Sequence, residues 1–259
     1  MPTPGASIGG PTAPPPTPAP PLIDPDRPPG ELTETTEPTH HGADVVMGSL
    51  IKNGGGCIVP AGGYVAGRAD IVDAAAARVS APGVGRDAGA IEGQVVRTLL
   101  QGLWLAPAAT AEAIKGGALV AATLGSHDGA PGPDGRRGLG LRVIPPLGPP
   151  SAADAEPRVS VVTAVELGSP DLMSRFCRAV QRASPVGSFV TPVPGATAGY
   201  SDEVLFADGS FVDGSTAELS ADGPLREPYA VYTQGGSHWT QWAHALEGVV
   251  AALEGAEEE

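Results

Sequence analysis

"GSLIKNGGG", residues 48–56, closes the short apolar run "ADVVMGSL" (43–50) with one lysine, one asparagine and three consecutive glycines. The run has the length of a buried strand. The glycines after it require the backbone to turn sharply or to pass close to another group, since only glycine takes such conformations cheaply. Outward from this point the pattern continues. "GGYVAGR" (62–68) repeats the strand signal, and "ADIVDAAAARVSAPG" (69–83) reads as a helix closed by Pro82 and Gly83. Short strands alternating with helices define an α/β layer.

Lys52 admits four readings. It is a solvated loop charge; or it pairs with Ser49 as the S-x-x-K of serine β-lactamases and penicillin-binding proteins; or it serves a phosphate loop; or it carries pyridoxal phosphate as a Schiff base. The second needs a downstream S-D-N and K-T-G. "YSDE" (200–203) has no asparagine, and no lysine follows Lys115. The third needs the lysine after the glycines, whereas Lys52 precedes them. In the fourth, the amine forms an imine with the cofactor aldehyde, a hydroxyl three residues earlier reaches the phosphate, and the glycines leave room for the ring. That reading accounts for Ser49, Lys52 and the glycines together.

Further along, "GAIEGQVVRTLLQGLWLAPAATAEAIKGGALVAATLG" (89–125) predicts a long apolar helical region, broken or kinked near Pro107 because proline forfeits a helix hydrogen bond and clashes one turn back. Residues 126–157 are dominated by glycine, proline and polar side chains and read as a surface insertion. "RVSVVTAVEL" (158–167) is a strand, and "SPDLMSRFCRAVQRAS" (169–184) is a helix capped by Ser169, opened by Pro170 and striped by Leu172, Phe176, Val180 and Ala183. Four strand candidates follow: "SFVTPV" (188–193), "EVLFADG" (203–209), "TAELSAD" (216–222) and "YAVYTQG" (229–235). The last helix carries Trp239, Trp242, Leu246, Val249, Val250 and Leu253 at helical spacing, so the tryptophans read as core or interface anchors. The domains expected are a disordered proline-rich segment (1–30), part of a large α/β domain (31–105), a linking helix (106–125), the insertion (126–157), a small α+β domain with a mostly antiparallel sheet (158–254) and an acidic tail (255–259).

Composition narrows the function. Twelve of the 29 prolines fall in the first thirty residues, which leaves that segment almost nothing to pack. A net charge of −14 gives the wrong sign for binding nucleic acid or an anionic membrane. No run of 18 or more apolar residues and no leader pattern is present, so the expected location is the cytoplasm. Cys57 and Cys177 are far apart and read as free thiols, and the five histidines lack metal-ligand spacing, so no metal is expected.

The stretches "GADVVMGSLIKNGGGCIVPAGGYVAGRADIVDAAAARVSAPGVGRDAGA" (42–90), "LLQGLWLAP" (99–107) and "SPVGSFVTPVPGATAGYSDEVLFADGSFVDGSTAELSADGPLREPYAVYTQGG" (184–236), in this order, resemble the methionine γ-lyase-like family, also called the aluminium resistance protein family. That group is related to cystathionine β-lyases among the fold-type I pyridoxal phosphate enzymes. The likeness runs from about Gly30 to Leu253, interrupted near 126–156. It implies an α/β fold: part of a pyridoxal phosphate transferase-like large domain plus a smaller α+β C-terminal domain. It also implies a homodimer, and β- or γ-elimination from a small sulfur amino acid with pyridoxal 5'-phosphate as cofactor. Lys52 would hold the cofactor and act on the Cα proton, Ser49 would contact its phosphate, and Arg226 would hold the substrate carboxylate, since a guanidinium pairs with both carboxylate oxygens.

The resemblance also implies a long region before residue 30 that holds the rest of the cofactor site. Here "PDRPPGELTETTEP" (25–38) stands where the family has a strand with an aspartate for the pyridine nitrogen. Two expectations follow: a truncated carbon-sulfur lyase, or a non-catalytic fragment lacking the cofactor-binding half.

Overall fold

The computed structural model describes residues 32–79, 83–85, 92–125, 139–145 and 160–255. The proline-rich segment, most of the insertion and nearly all of the acidic tail lie outside the described residues.

Two sheets organise the chain. In the first, β1 (Val45–Ser49) pairs antiparallel with β2 (Gly63–Gly67), Met47 opposite Val65. Among the described residues the two strands read as part of an α/β layer form an antiparallel hairpin. A parallel pair needs a crossover of a dozen or more residues, usually a helix, and the link from Ser49 to Gly63 is instead a folded loop with a single 3-10 turn, Asn53–Gly55. Helix α1 (Ala69–Val79) follows, and then α2 (Gly93–Leu124).

Of the break or kink expected near Pro107, the break does not occur: α2 runs through the proline as one helix. The helix is held on both sides of the proline: Gly102 abuts the Lys52 loop and Gly116 seats the indole of Trp242. Tertiary packing at both flanks overrides the local penalty.

The second sheet is antiparallel throughout, in the order β3-β4-β7-β6-β5: β3 (Arg142–Ile144), β4 (Thr163–Glu166), β5 (Val204–Asp208), β6 (Ser220–Pro224) and β7 (Ala230–Gln234). Helices α3 (Pro170–Ala183) and α4 (Trp239–Glu254) pack with it around one core. That core holds Val165, Met173, Phe176, Leu205, Leu219, Val231, Trp242 and Val249, and it also takes Val120 and Leu124 from the end of α2. Ser169 caps α3 as expected, accepting the Leu172 N–H at 3.2 Å. The stripe of α3 is rotated slightly from the sequence reading, with Met173 and Cys177 buried beside Phe176 and Val180.

Three strand expectations change. β3 arises inside the stretch read as a structureless insertion, where "RVI" is too short to register as periodicity. "SFVTPV" forms no strand, and Phe189 is 90% exposed; Pro192 and Pro194 remove ladder donors there. β6 begins at Ser220, because the preceding residues, 215–217, turn toward the Lys52 loop.

Candidate active site around Lys52

Lys52 lies in the loop between β1 and β2, and the three glycines after it explain its placement. A Cβ on Gly55 would sit 1.8 Å from the Leu50 carbonyl oxygen, and one on Gly56, at φ +64°, would sit 2.4 Å from that of Gly102. In return, a Cβ on Gly102 would lie 2.3 Å from the Gly55 oxygen. The close approach read from the sequence is therefore with the backbone of α2. The space beside Gly55 is filled by Leu50 and Val59 of the same loop and that beside Gly56 by the helix, so neither is kept for a ring. Gly102→Ala should then cost about 2 kcal/mol, as overpacking does. Urea unfolding measures it, and limited proteolysis within 50–57 should speed up in the same variant.

The C-terminal sheet clasps this loop from the other side. Ser215 Oγ donates to the Ile51 carbonyl at 2.8 Å, and Lys52 Nζ donates to Thr216 Oγ1 at 3.2 Å. Ser49 is half-buried, its Oγ 3.4 Å from the Ile51 nitrogen, which leaves the hydroxyl hydrogen available to a ligand. Asn53 Nδ2 and Glu218 Oε2 are buried and have no hydrogen-bond partner among the described residues.

Acidic groups gather under the loop. Leu219 and Ala221 point into the helix-covered core, so Asp222 occupies the opposite face of β6, flanked in register by Phe206 on β5 and Tyr232 on β7. Burial pushes the Asp222 carboxyl up to about 6; Lys52 draws it down and Asp208 pushes it further up. Burial raises Glu218 as well, again reinforced by Asp208. The Cys57 thiol is pushed up to about 11 by burial and by Glu218, which leaves it protonated and unreactive at neutral pH.

The raised Asp222 has a stability consequence. A carboxyl whose pKa rises on folding stabilises the fold fully below its unfolded value, near 3.8, and that contribution disappears as pH climbs through about 6. Asp222→Asn should therefore stabilise the protein at pH 8, by up to about 3 kcal/mol, with no gain near pH 4. Urea midpoints of the two proteins at the two pH values measure it.

Arg226 is placed apart. It sits in the hairpin between β6 and β7, with Nη1 3.3 Å from Asp202 Oδ2, and both side chains are exposed. Thr216 precedes β6 and Arg226 follows it, so the two lie beyond opposite ends of that strand. The structure thus joins Lys52 to Thr216, keeps Ser49 at the end of β1 just before it, and leaves Arg226 on a separate partner. Thr216, Glu218 and Asp222 went unmarked in the sequence reading. Their signal was the alternation in "TAELSAD", which sets acids on one face of the strand and Leu219 and Ala221 on the other.

The chain holds two lysines, and Lys115 is engaged by Glu112 on α2. No carboxylate lies within ion-pair distance of Lys52 among the described residues; its partner is a neutral hydroxyl. An amine held this way remains available for imine chemistry, so the donor set fits a carbonyl cofactor at Lys52.

A two-sheet α/β protein that buries a lysine loop between a helix and an antiparallel sheet is the class this geometry defines. The chain belongs to the methionine gamma-lyase family, whose family model matches residues 22–254. It is 42% identical over 207 residues to an uncharacterized protein encoded 5' of glnA in Lactobacillus delbrueckii subsp. bulgaricus. It is also 38% identical over 224 residues to the uncharacterized protein YnbB of Bacillus subtilis. These alignments take in 80% and 86% of this chain but 61% and 48% of the relatives, so the chain spans about half to three fifths of their length. Among solved structures it resembles a Clostridium novyi protein titled a carbon-sulfur lyase involved in aluminium resistance, at 38% identity and a TM-score of 0.68, covering 88% of this chain and 48% of that one. A Listeria monocytogenes structure, provisionally named a cystathionine beta-lyase involved in aluminium resistance, gives 36% identity and a TM-score of 0.71, covering 86% and 50%. Among the described residues no helix is long and apolar enough to cross a membrane.

Proposed function

We propose that this chain carries the lysine-bearing part of a carbon-sulfur lyase that uses pyridoxal 5'-phosphate on a sulfur amino acid. The observation that carries the reading is Lys52: an amine in a half-buried loop, bonded to a hydroxyl and not to a carboxylate, in a chain of the methionine gamma-lyase family. Lys52 and Ser49 would hold the cofactor, through the amine and the phosphate respectively. When bound, the cofactor supplies an electron-withdrawing ring that accepts the electron pair left at the substrate Cα.

The remaining chemistry falls to side chains. Lys52 would take the Cα proton, with Thr216 Oγ1, which accepts from its Nζ at 3.2 Å, fixing the direction of the amine. Arg226 would offer its guanidinium to the substrate carboxylate, exchanging Asp202 for the stronger paired contact. The location expected is the cytoplasm, and the active assembly a homodimer.

A second reading, a non-catalytic piece that folds against further polypeptide, is favoured by one face of α2. Val96, Leu100, Leu103 and Trp104 form an exposed apolar stripe there, Trp104 at 84% exposure. Titration of the protein with pyridoxal phosphate, then borohydride reduction and peptide mapping, separates the two readings. A pyridoxyl label on Lys52 supports the lyase, and absence of label on Lys52 supports the non-catalytic piece.

A further inference from the structure

The five-stranded sheet is covered on one face only. Val143, Val165, Leu205, Ala221 and Val231 turn into the core with α3 and α4, so their neighbours along each strand point to the opposite face. The strand registers bring five of those neighbours into one row across the sheet: Phe206 opposite Asp222, Asp222 opposite Tyr232, Tyr232 opposite Ala164, and Ala164 opposite Ile144. Phe206 is 45% exposed, and Tyr232 and Ile144 are each 42% exposed. Directly opposed side chains start about 5 Å apart, so Asp222 has a half-exposed aromatic side chain on each side of it.

The charge on this face is unbalanced. In the adjoining row Arg142 lies opposite Glu166 and pairs with it. Asp222 has no ion pair and its carboxylate no hydrogen bond among the described residues, and Asp208, two residues beyond Phe206, adds a second acid, bonded to Ser210. A carboxylate between two aromatic side chains suits a guanidinium, which pairs with the carboxylate through its N–H fork and lies against ring faces. An uncharged or anionic group gains neither contact. The chain's net charge of −14 adds a long-range attraction for a cationic segment. The length of the row decides what carries the guanidinium. Four strand spacings of about 4.8 Å make roughly 19 Å, about the span of six residues of extended polypeptide, and longer than a free amino acid. The far end of the row, Ile144, is apolar.

We propose that the outer face of the C-terminal sheet docks an extended segment of another polypeptide, which presents an arginine to Asp222 between Phe206 and Tyr232 and an apolar side chain to Ile144. The inference makes no use of Lys52 and stands apart from the cofactor reading.

The experiment titrates the intact protein at pH 7.5, above the value of about 6 to which burial raises Asp222, with the peptide acetyl-Leu-Pro-Leu-Pro-Arg-Pro-Val-amide. Its prolines keep it extended, and its first leucine lies four residues, about 12 Å, from the arginine; Ile144 lies three strand spacings, about 14 Å, from Asp222. Ring resonances of Phe206 and Tyr232 in protein labelled with ring-13C phenylalanine and tyrosine are the readout. Both should shift, with a dissociation constant tighter than about 1 mM. Asp222→Asn should weaken binding about tenfold, as should replacing the peptide's arginine by uncharged citrulline, the share of a charge-assisted contact. Phe206→Ser should weaken it about fivefold, the share of one cation–ring contact. Equal affinity for the arginine and citrulline peptides overturns the proposal, as does no shift at 5 mM peptide, roughly five times the expected constant. If Asp222→Asn does not fold by circular dichroism, the two peptides on the wild-type protein decide. A wild-type dimer that Phe206→Ser converts to monomer in sedimentation would assign the face to a second copy of this chain and overturn the proposal as well.

Discussion

Lys52→Ala should abolish covalent uptake of pyridoxal 5'-phosphate and lower any carbon-sulfur lyase activity by at least about a thousandfold, the range lost with a proton-transferring group that is also the cofactor's attachment point. The loss is expected to be this complete because the chain offers no substitute. Its other lysine, Lys115, is tied to Glu112 on α2. Lys52→Arg should fail equally, since a guanidinium keeps the charge but does not form the imine. The visible absorbance of the bound cofactor and the mass of the reduced protein are the measurements. A Lys52→Ala protein that still acquires a pyridoxyl label in full would remove Lys52 from the mechanism. Circular dichroism should be unchanged, because Lys52 is only partly buried and its hydrogen bond to Thr216 is worth little to the fold.

How much of this was legible beforehand depended on the kind of signal. Ser49, Lys52 and the glycines were readable because three unusual residue types fall within nine positions. β1, β2, β5 and β7 were readable because each is a short apolar run bounded by turn residues. β3 was not, since three residues carry no periodicity. It exists because β4 offers it an edge, Val143 opposite Val165. The continuity of α2 through Pro107 was likewise invisible, as it depends on what Gly102 and Gly116 touch.

The glycines show the difference between a correct constraint and a wrong cause. Sequence chemistry required a close approach at residues 54–56, and there is one. Its object, the backbone of α2 at Gly102, lies some fifty residues away and could not be named from the motif. The same holds for Thr216 and Asp222. "TAELSAD" was recognised as extended, but Thr216 gains meaning only once the fold brings Lys52 within 3.2 Å of it, and Asp222 only once the fold buries it. Arg226 illustrates the converse: its chemistry suits a carboxylate, while the structure places it in a hairpin with Asp202.

Trp242→Ala should be the most damaging substitution to the fold, at about 4 kcal/mol, within the range for deleting a large buried aromatic. Trp242 is 1% exposed and is the largest fully buried side chain of the described residues. Its ring seats in a notch made by glycine: a Cβ on Gly116 of α2 would lie 2.4 Å from its Cδ1, and one on Gly236 would lie 3.2 Å away. Its Nε1 donates to the Gly235 carbonyl at 3.1 Å, so truncation leaves both a cavity and an unpaired buried acceptor. The notch cannot collapse easily, because the backbone of α2 is pinned at Gly102 by the Lys52 loop and at Val120 and Leu124 by the sheet core. Trp239, three residues earlier and 40% exposed, meets α2 through its backbone N–H, which donates to Glu112 Oε2 at 3.1 Å and survives truncation of the side chain, so Trp239→Ala should cost less than about 1 kcal/mol, as surface changes do. Thermal or urea unfolding of the two variants, followed by circular dichroism, gives the comparison, and equal losses would refute the assignment of Trp242 as the joint between α2 and α4. Because α2 also backs the Lys52 loop, Trp242→Ala should speed proteolysis within residues 50–57 even at temperatures where the protein remains folded. Damage at the far end of α2 would then reach the candidate active site through the helix the two share.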